Sequence, residues 1–262
     1  MAVRRWRCRT GVAVVLGALA LAACTPGSVK PPPVTYAVDY PAGCGAPDPA
    51  ECRSLLVIGD SVAEGQGVSL AGDVRWQDQL AFALAGGGRS SVVRRRYNGE
   101  VLGSGTYTQW DFSRAGFSGA MWANLPQYLP PASSFGHIDQ IVLAVGANDE
   151  GQNVQPVVYG VALRSLLARF PADRCAIVGA WEWEAAFKPT GFTPVYPAAP
   201  YREQAEQVAT DLGCAYVDES ALTPSGIAAM PYSPDGQHLS QQGHDEVARR
   251  LIAAIAATAP AN

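Results

Sequence analysis

Ser61 ends the stretch Leu55-Leu56-Val57-Ile58-Gly59-Asp60-Ser61, a short apolar run that breaks off in Gly-Asp-Ser. A serine hydroxyl delivered at the end of a buried strand can attack an acyl carbon under three conditions. A base must take its proton, a further group must orient that base, and donors must receive the charge that develops on the carbonyl oxygen. The chain has three histidines, and imidazole titrates near neutrality, which suits a base that must also return the proton. His137 precedes an apolar run and so falls at the wrong end of a strand, and His244 lies inside an amphipathic helix. His238 stands in the loop Asp235-Gly236-Gln237-His238, where Asp235 is near enough to accept from the other ring nitrogen and fix the tautomer. Taken singly, each feature also fits something plainer: Gly-Asp-Ser an ordinary turn, His238 a surface loop.

Two further blocks stand where strands would end, Arg114-Ala115-Gly116-Phe117-Ser118-Gly119 and Gly146-Ala147-Asn148-Asp149. In this order and at these distances the four blocks resemble the SGNH, or GDSL-type, hydrolase family, over roughly Ser54 to the final helix. The resemblance implies a serine ester hydrolase with Ser61, His238 and Asp235 as its catalytic triad and an acyl-enzyme intermediate. It also implies an oxyanion hole formed by the amides of Ser61 and Gly116 and the carboxamide of Asn148, a group that donates without a charge that would overbind the ground-state ester. Asp60 and Asp149 are expected to hold loops through backbone amides. Two positions depart from the family pattern: Val62 replaces the usual leucine after the serine, and Arg114 replaces an asparagine two residues before the glycine. The second departure leaves open how that loop is braced and what substrate charge it tolerates. No Gly-x-Ser-x-Gly elbow of the other large esterase class is present.

The elements that must position these residues alternate along the chain. Four consecutive apolar residues before Gly59 suit a strand covered on both faces. Val74 to Ala85 has helical spacing through Trp76, Leu80 and Leu84. Val92 to Tyr97 and Glu100 to Thr108 flank Asn98-Gly99 as a hairpin, and a strand near Gln109 to Ser113 leads into a helix running to about Leu129. Ile138 to Val145, Cys175 to Trp183 and Cys214 to Asp218 are expected as strands. Gln155 to Phe170 is expected as a helix with Val158, Ala162, Leu166 and Phe170 on one face, and Tyr201 to Leu212 as another. Ser240 is expected to cap a last helix with Val247, Leu251, Ile252 and Ile255 on one stripe. The alternation predicts an α/β fold, a doubly wound, mainly parallel sheet of about five strands with helices on both faces, and the family resemblance implies that it is flavodoxin-like. In such sheets ligands bind beyond the carboxyl ends of the strands.

At 262 residues and 48% hydrophobic the chain can bury one sizeable core. Residues 1–23 have the form of a signal peptide, with Arg4, Arg5, Arg7 and Arg9 before an apolar stretch too short to span a bilayer comfortably. The segment ends Leu21-Ala22-Ala23-Cys24, which resembles a bacterial lipobox and implies lipidation of Cys24, export, and anchoring on the outer face of the cell membrane. A Pro-rich tether (24–50) would then carry a hydrolase domain (51–262). Removing four arginines and no acids takes the formal charge from −4 to −8, which argues against nucleic acid as a partner. Arg94-Arg95-Arg96 is expected to be a solvated strand or loop. Four cysteines remain for an oxidising compartment, with three possible pairings; neighbourhood favours Cys44 with Cys52 and Cys175 with Cys214. No Cys-x-x-Cys pair or histidine cluster has metal-ligand spacing, so neither metal nor cofactor is expected.

The resemblance does not fix the substrate. It implies an acyl ester, and membrane tethering would place the enzyme beside envelope carbohydrate and lipid. Short acyl groups on carbohydrate are the expected target. Acyl transfer to sugar hydroxyls and lipase or lysophospholipase activity are alternatives from the same site. A non-catalytic binding lipoprotein is disfavoured by the full set of site residues. Exposed indoles can stack on sugar rings, which draws notice to Trp181 and Trp183, and to Trp76, Trp110 and Trp122, although buried tryptophans are the commoner case.

Overall fold

The computed structural model describes residues 53–66, 75–86, 88–97, 99–124, 129–180, 195–218 and 237–258. Cys24, Cys44, Cys52, Trp181, Trp183 and Asp235 therefore lie outside the described residues, as do the expected signal segment and tether.

Seven strands form one sheet among the described residues: β1 (Arg53–Gly59), β2 (Val92–Arg96), β3 (Val101–Leu102), β4 (Tyr107–Ser113), β5 (Gln140–Ala144), β6 (Arg174–Val178) and β7 (Ala215–Val217). Their spatial order is β3-β2-β4-β1-β5-β6-β7, and every neighbouring pair is parallel except β2 with β3. Leaving β2 and β3 aside, the order is that of a flavodoxin-like sheet. The chain leaves β1 toward β4 and then recrosses to β5, making β1 the switch point at which such sheets bind ligands. The sheet exceeds the expected five strands because Val92–Arg96 extends it beyond β4 and carries a short antiparallel partner. The expected hairpin is real but shorter than its pattern: Val101 and Leu102 form its second arm, while Tyr107 and Thr108 already belong to β4.

Side chains of successive residues in a strand point to opposite faces, and this explains the unbroken apolar run in β1. Leu56 and Ile58 join Phe112, Ile141, Leu143 and Ile177 in one core. That core is covered by α3 (Gly119–Asn124), α5 (Pro156–Arg169) and α6 (Ala198–Leu212) through Trp122, Leu163, Leu166, Tyr201 and Ala205. Leu55 and Val57 join Val142, Ala176 and Val217 on the other face. There α2 (Trp76–Leu84) and α7 (Gln241–Ala257) supply Trp76, Leu80, Val247, Leu251 and Ile255.

The expected helices form, the one expected to reach Leu129 being described as helix only over Gly119–Asn124, and their ends are set by local chemistry. Pro156 opens α5 at the position that needs no amide donor, and Gly213 ends α6 in the left-handed conformation. Ser240 caps α7, its hydroxyl accepting from the Gly243 amide at 3.2 Å. Two stripe residues do not face the core: Val158 is 43% exposed and Ile252 37% exposed. Trp76, Trp110 and Trp122 are buried core residues rather than a sugar platform. The Arg94-Arg95-Arg96 run is strand, within β2, but Arg94 is buried with its guanidinium 5.8 Å from the Phe82 ring centre, contrary to the solvated face expected there. No helix among the described residues is long and apolar enough to cross a membrane.

Candidate active site

The ends of three strands are level. Gly59 pairs with Ser113 on one side and Ala144 on the other, so the loops after β1, β4 and β5 emerge side by side at the carboxyl edge of the sheet. After β1 the backbone turns at once into α1 (Ser61–Glu64), a single turn. Asp60 caps it, its carboxylate accepting from the Val62 amide at 3.0 Å. Gly59 makes this tight return feasible, because a Cβ there would collide with Ala63 and lie 2.8 Å from Ser113 Oγ. Ser61 thus sits at the first position of α1, where the backbone amide has no acceptor within the helix.

Into this edge comes the segment just before α7. Leu239 is buried and Ser240 caps the helix, which fixes His238 between them and the loop. His238 Nε2 lies 3.1 Å from Ser61 Oγ across 177 residues of sequence. A hydroxyl and an imidazole in that relation can pass a proton between them.

The other two blocks complete the edge. Gly116 is exposed with φ of +79°, a left-handed conformation that favours glycine. Asn148, in α4 (Ala147–Gly151), donates from Nδ2 to the Phe117 carbonyl at 3.2 Å. A carboxamide carries two N–H groups, and one of them steadies the loop. Asp149 is buried and accepts from the amides of Gly119 at 2.6 Å and Ala120 at 3.1 Å, joining the loop after β5 to the start of α3. Burial pushes the Asp149 carboxyl up to about 6 against the pull of those amides. Asp60 rises further, to about 7, first through burial; the Val62 amide opposes the shift and the charge of Asp149 adds to it. Both aspartates hold loops, as their positions in the blocks imply.

The remaining histidines stand elsewhere. His137 precedes β5 at the opposite edge, with Nε2 2.9 Å from Asp173. With Asp139 these two place ligand atoms within 4.8 Å of one another, but Asp139 already accepts from the Ser54 amide at 2.5 Å. His244 is buried in α7 and its Nδ1 accepts from the Trp76 amide at 3.2 Å. A cavity of about 390 Å³ also lies at that far edge, lined by Leu167, Phe170, Cys175 and Leu212, well away from Ser61.

Beyond the geometry, the model of the GDSL-like lipase/acylhydrolase family matches residues 57–246. The chain belongs to that family. It is accordingly a serine ester hydrolase. The fold is similar to that of a lipase/acylhydrolase from Enterococcus faecalis, at TM-score 0.56 and 15% identity over 80% of this chain and 99% of that one. It is also similar to a mutant of an acetyl-xylooligosaccharide esterase from Geobacillus Stearmophilus, at TM-score 0.53 and 18% identity over 77% and 93%. An alpha/beta hydrolase from the metagenome of Lake Arreo gives TM-score 0.53 and 18% identity over 79% and 96%. No curated protein matches the chain in sequence.

Two contacts in the site have no counterpart in the sequence motifs. Glu64, at the end of α1, accepts from the Ala115 amide at 2.7 Å. Gln152 Nε2 donates to the Gly116 carbonyl at 3.4 Å. Both secure the loop after β4, and spacing alone marks neither, because their partners come from other strands.

Proposed function

We propose that this esterase works through an acyl-enzyme formed on Ser61, with His238 as base and Asp235 orienting it, and that its substrates are short acyl esters carried on envelope carbohydrate. The observation that carries the mechanism is the 3.1 Å approach of His238 Nε2 to Ser61 Oγ at the carboxyl edge of the sheet. In the first step Ser61 Oγ bonds to the carbonyl carbon, its proton moves to His238, and the carbonyl π pair becomes an oxyanion. The amides of Ser61 and Gly116 and the second N–H of Asn148 receive that charge. Collapse expels the alcohol, which takes the proton from His238. Water, deprotonated by His238, then repeats the sequence on the acyl-enzyme and frees Ser61.

The carbohydrate reading draws on location and fold. Export and lipidation at Cys24 would hold the enzyme beside envelope glycans, and the same fold serves an acetyl-xylooligosaccharide esterase. A chain-length series of nitrophenyl esters on the soluble domain, followed by acetylated oligosaccharides, tests it. Highest kcat/KM on acetyl esters and release of acetate from the sugars supports the reading; preference for long acyl chains overturns the substrate half. Cys24→Ser should move the protein from the membrane to the soluble fraction with its specific activity unchanged, and continued membrane association would refute the lipid anchor.

A further inference from the structure

Glu64 stands three residues after Ser61 on the single turn of α1, and the loop carrying Gly116 emerges beside it. One carboxylate oxygen, Oε2, receives the Ala115 amide at 2.7 Å, and the other lies 3.5 Å from the Tyr97 hydroxyl. The turn itself is closed by Gly65 in the left-handed conformation, its amide reaching back to the carbonyls of Ser61 and Val62. Ser61 and Glu64 are therefore parts of one short rigid unit.

The loop from Arg114 to Gly119 is held at several points. The Arg114 amide continues the sheet to the Gly59 carbonyl at 3.2 Å, Asn148 holds the Phe117 carbonyl and Asp149 holds Gly119. Gly116 lies between these anchors in an exposed, left-handed turn. The backbone on its two sides is set by Glu64 through Ala115 and by Gln152 through the Gly116 carbonyl. The Arg114 side chain does not brace the loop by hydrogen bonds to it. Its guanidinium lies 4.8 Å from the Phe117 ring centre and 5.7 Å from that of Tyr97, a cation above rings at one side of a carboxylate site. With arginine where an asparagine is usual, the nucleophile's own helix supplies the tie.

We infer that Glu64 is a positioning residue for the oxyanion site: it clips the helix that carries Ser61 to the loop that carries Gly116, and so fixes the distance between two of the three proposed donors. This inference rests on the acyl-enzyme reading of the site. A carboxylate bonded to an amide is a strong, short hydrogen bond, and the Tyr97 hydroxyl limits its rotation. Oxyanion donors act on charge that exists only in the transition state. Misplacing one of them lowers kcat and leaves ground-state binding, read through KM, almost unchanged. Shifts of about 1 Å in such geometry cost on the order of a hundredfold.

Three variants test it: Glu64→Ala removes the acceptor, Glu64→Asp keeps the charge but withdraws it, and Glu64→Gln keeps a carbonyl oxygen at full reach. Each is compared with wild type for kcat and KM on nitrophenyl acetate, for inhibition by phenylboronic acid, whose adduct on Ser61 mimics the tetrahedral intermediate, and for amide exchange at Ala115. The Ala and Asp variants should lose about tenfold to a hundredfold in kcat with KM within about twofold. They should weaken the boronate by a similar factor and exchange the Ala115 amide faster, while Gln restores most of all three. Wild-type kcat in the Asp variant, or equal losses in Gln and Ala, overturns the inference, and the Asp and Gln variants decide it if Ala does not fold. Absence of nitrophenyl acetate turnover in wild type counts instead against the acyl-enzyme reading, and the exchange of Ala115 then still reports whether Glu64 holds the loop.

Discussion

His238 Nε2 and Ser61 Oγ meet at 3.1 Å although 177 residues separate them. Each arrives by a separate route. Ser61 is fixed by the capped turn after the central strand, and His238 by the buried Leu239 and the capped start of α7. The approach is thus a property of the sheet and its last helix together, and the proposed chemistry depends on both.

Ser61→Ala should abolish ester turnover and leave the fold intact, because the side chain removes little packing. Asn148→Ala should cost roughly a hundredfold to a thousandfold in kcat, the usual loss for one oxyanion donor, with an added loss from freeing the Phe117 carbonyl. Steady-state kinetics on nitrophenyl acetate, with circular dichroism to check folding, measures both. Turnover near wild type in the Ser61 variant would remove this serine from the mechanism.

What the sequence makes legible and what it hides divide along physical lines. The β1 run announces a strand buried on both faces, and Leu55 to Ile58 do alternate between two cores. The Cys175 and Cys214 pairing is legible for the same reason: each begins an apolar run, and adjacent parallel strands bring such starts together. Contacts whose partners lie on distant strands are not legible. Val101 and Leu102 are strand only because Arg94 and Arg95 pair with them. Glu64 looks like an ordinary helix residue until Ala115 is placed beside it.

Cys175 and Cys214 form a disulfide with Cα atoms 4.7 Å apart, 39 residues apart in sequence. It lies at the amino-terminal edge of the sheet, opposite Ser61. Closing a loop of that length contributes about 4 kcal/mol, so reduction should lower the melting temperature by roughly 8 to 15 °C. Activity at low temperature should stay near that of the oxidised protein. Calorimetry and assays with and without reductant check this, and an equal loss of activity and stability on mild reduction would contradict the separation of the two edges.

Arg75 is buried between two carboxylates. It meets Asp78 through two hydrogen bonds of 3.0 Å and Asp111 through an ion pair of 2.6 Å. Gln109 adds a donor to Asp78 at 2.9 Å, and the Ser113 amide donates to Asp111 at 3.1 Å. Burial is the largest single effect and lowers the guanidinium's pKa, but the charges of Asp111 and Asp78 and their hydrogen bonds together outweigh it and raise the pKa. Arg75→Met should destabilise the domain by about 3 to 5 kcal/mol, because two buried carboxylates lose their cation. Replacing Arg75, Asp78 and Asp111 together by apolar residues of similar volume should cost much less. Urea denaturation of the two variants gives the comparison, and equal losses would mean that packing, not charge, sets the penalty.

His244 makes stability depend on pH in a defined direction. Its ring is buried in α7, Nδ1 accepts from the Trp76 amide at 3.2 Å and Nε2 is enclosed without an acceptor among the described residues. Burial first, and then the charge of Arg75, pushes its pKa down to about 4. In the unfolded chain the same imidazole titrates near 6.5. Between these values the unfolded state binds more protons, so stability from His244 is full above about 6.5 and is lost as pH falls toward 4. The span corresponds to about 3 kcal/mol. Asp60 and Asp149, whose pKa values are raised, act in the opposite sense over the overlapping range from 3.8 to about 7 and 6, so the wild-type curve alone blends the three. His244→Asn keeps an acceptor for the Trp76 amide but has no titrating ring. The stability difference between wild type and this variant should fall by about 3 kcal/mol from pH 7 to pH 4, while esterase activity at pH 7 stays intact because the substitution leaves the proposed base, His238, untouched. Urea midpoints across that range measure it, and a difference independent of pH would show that the ring is not held neutral by its surroundings.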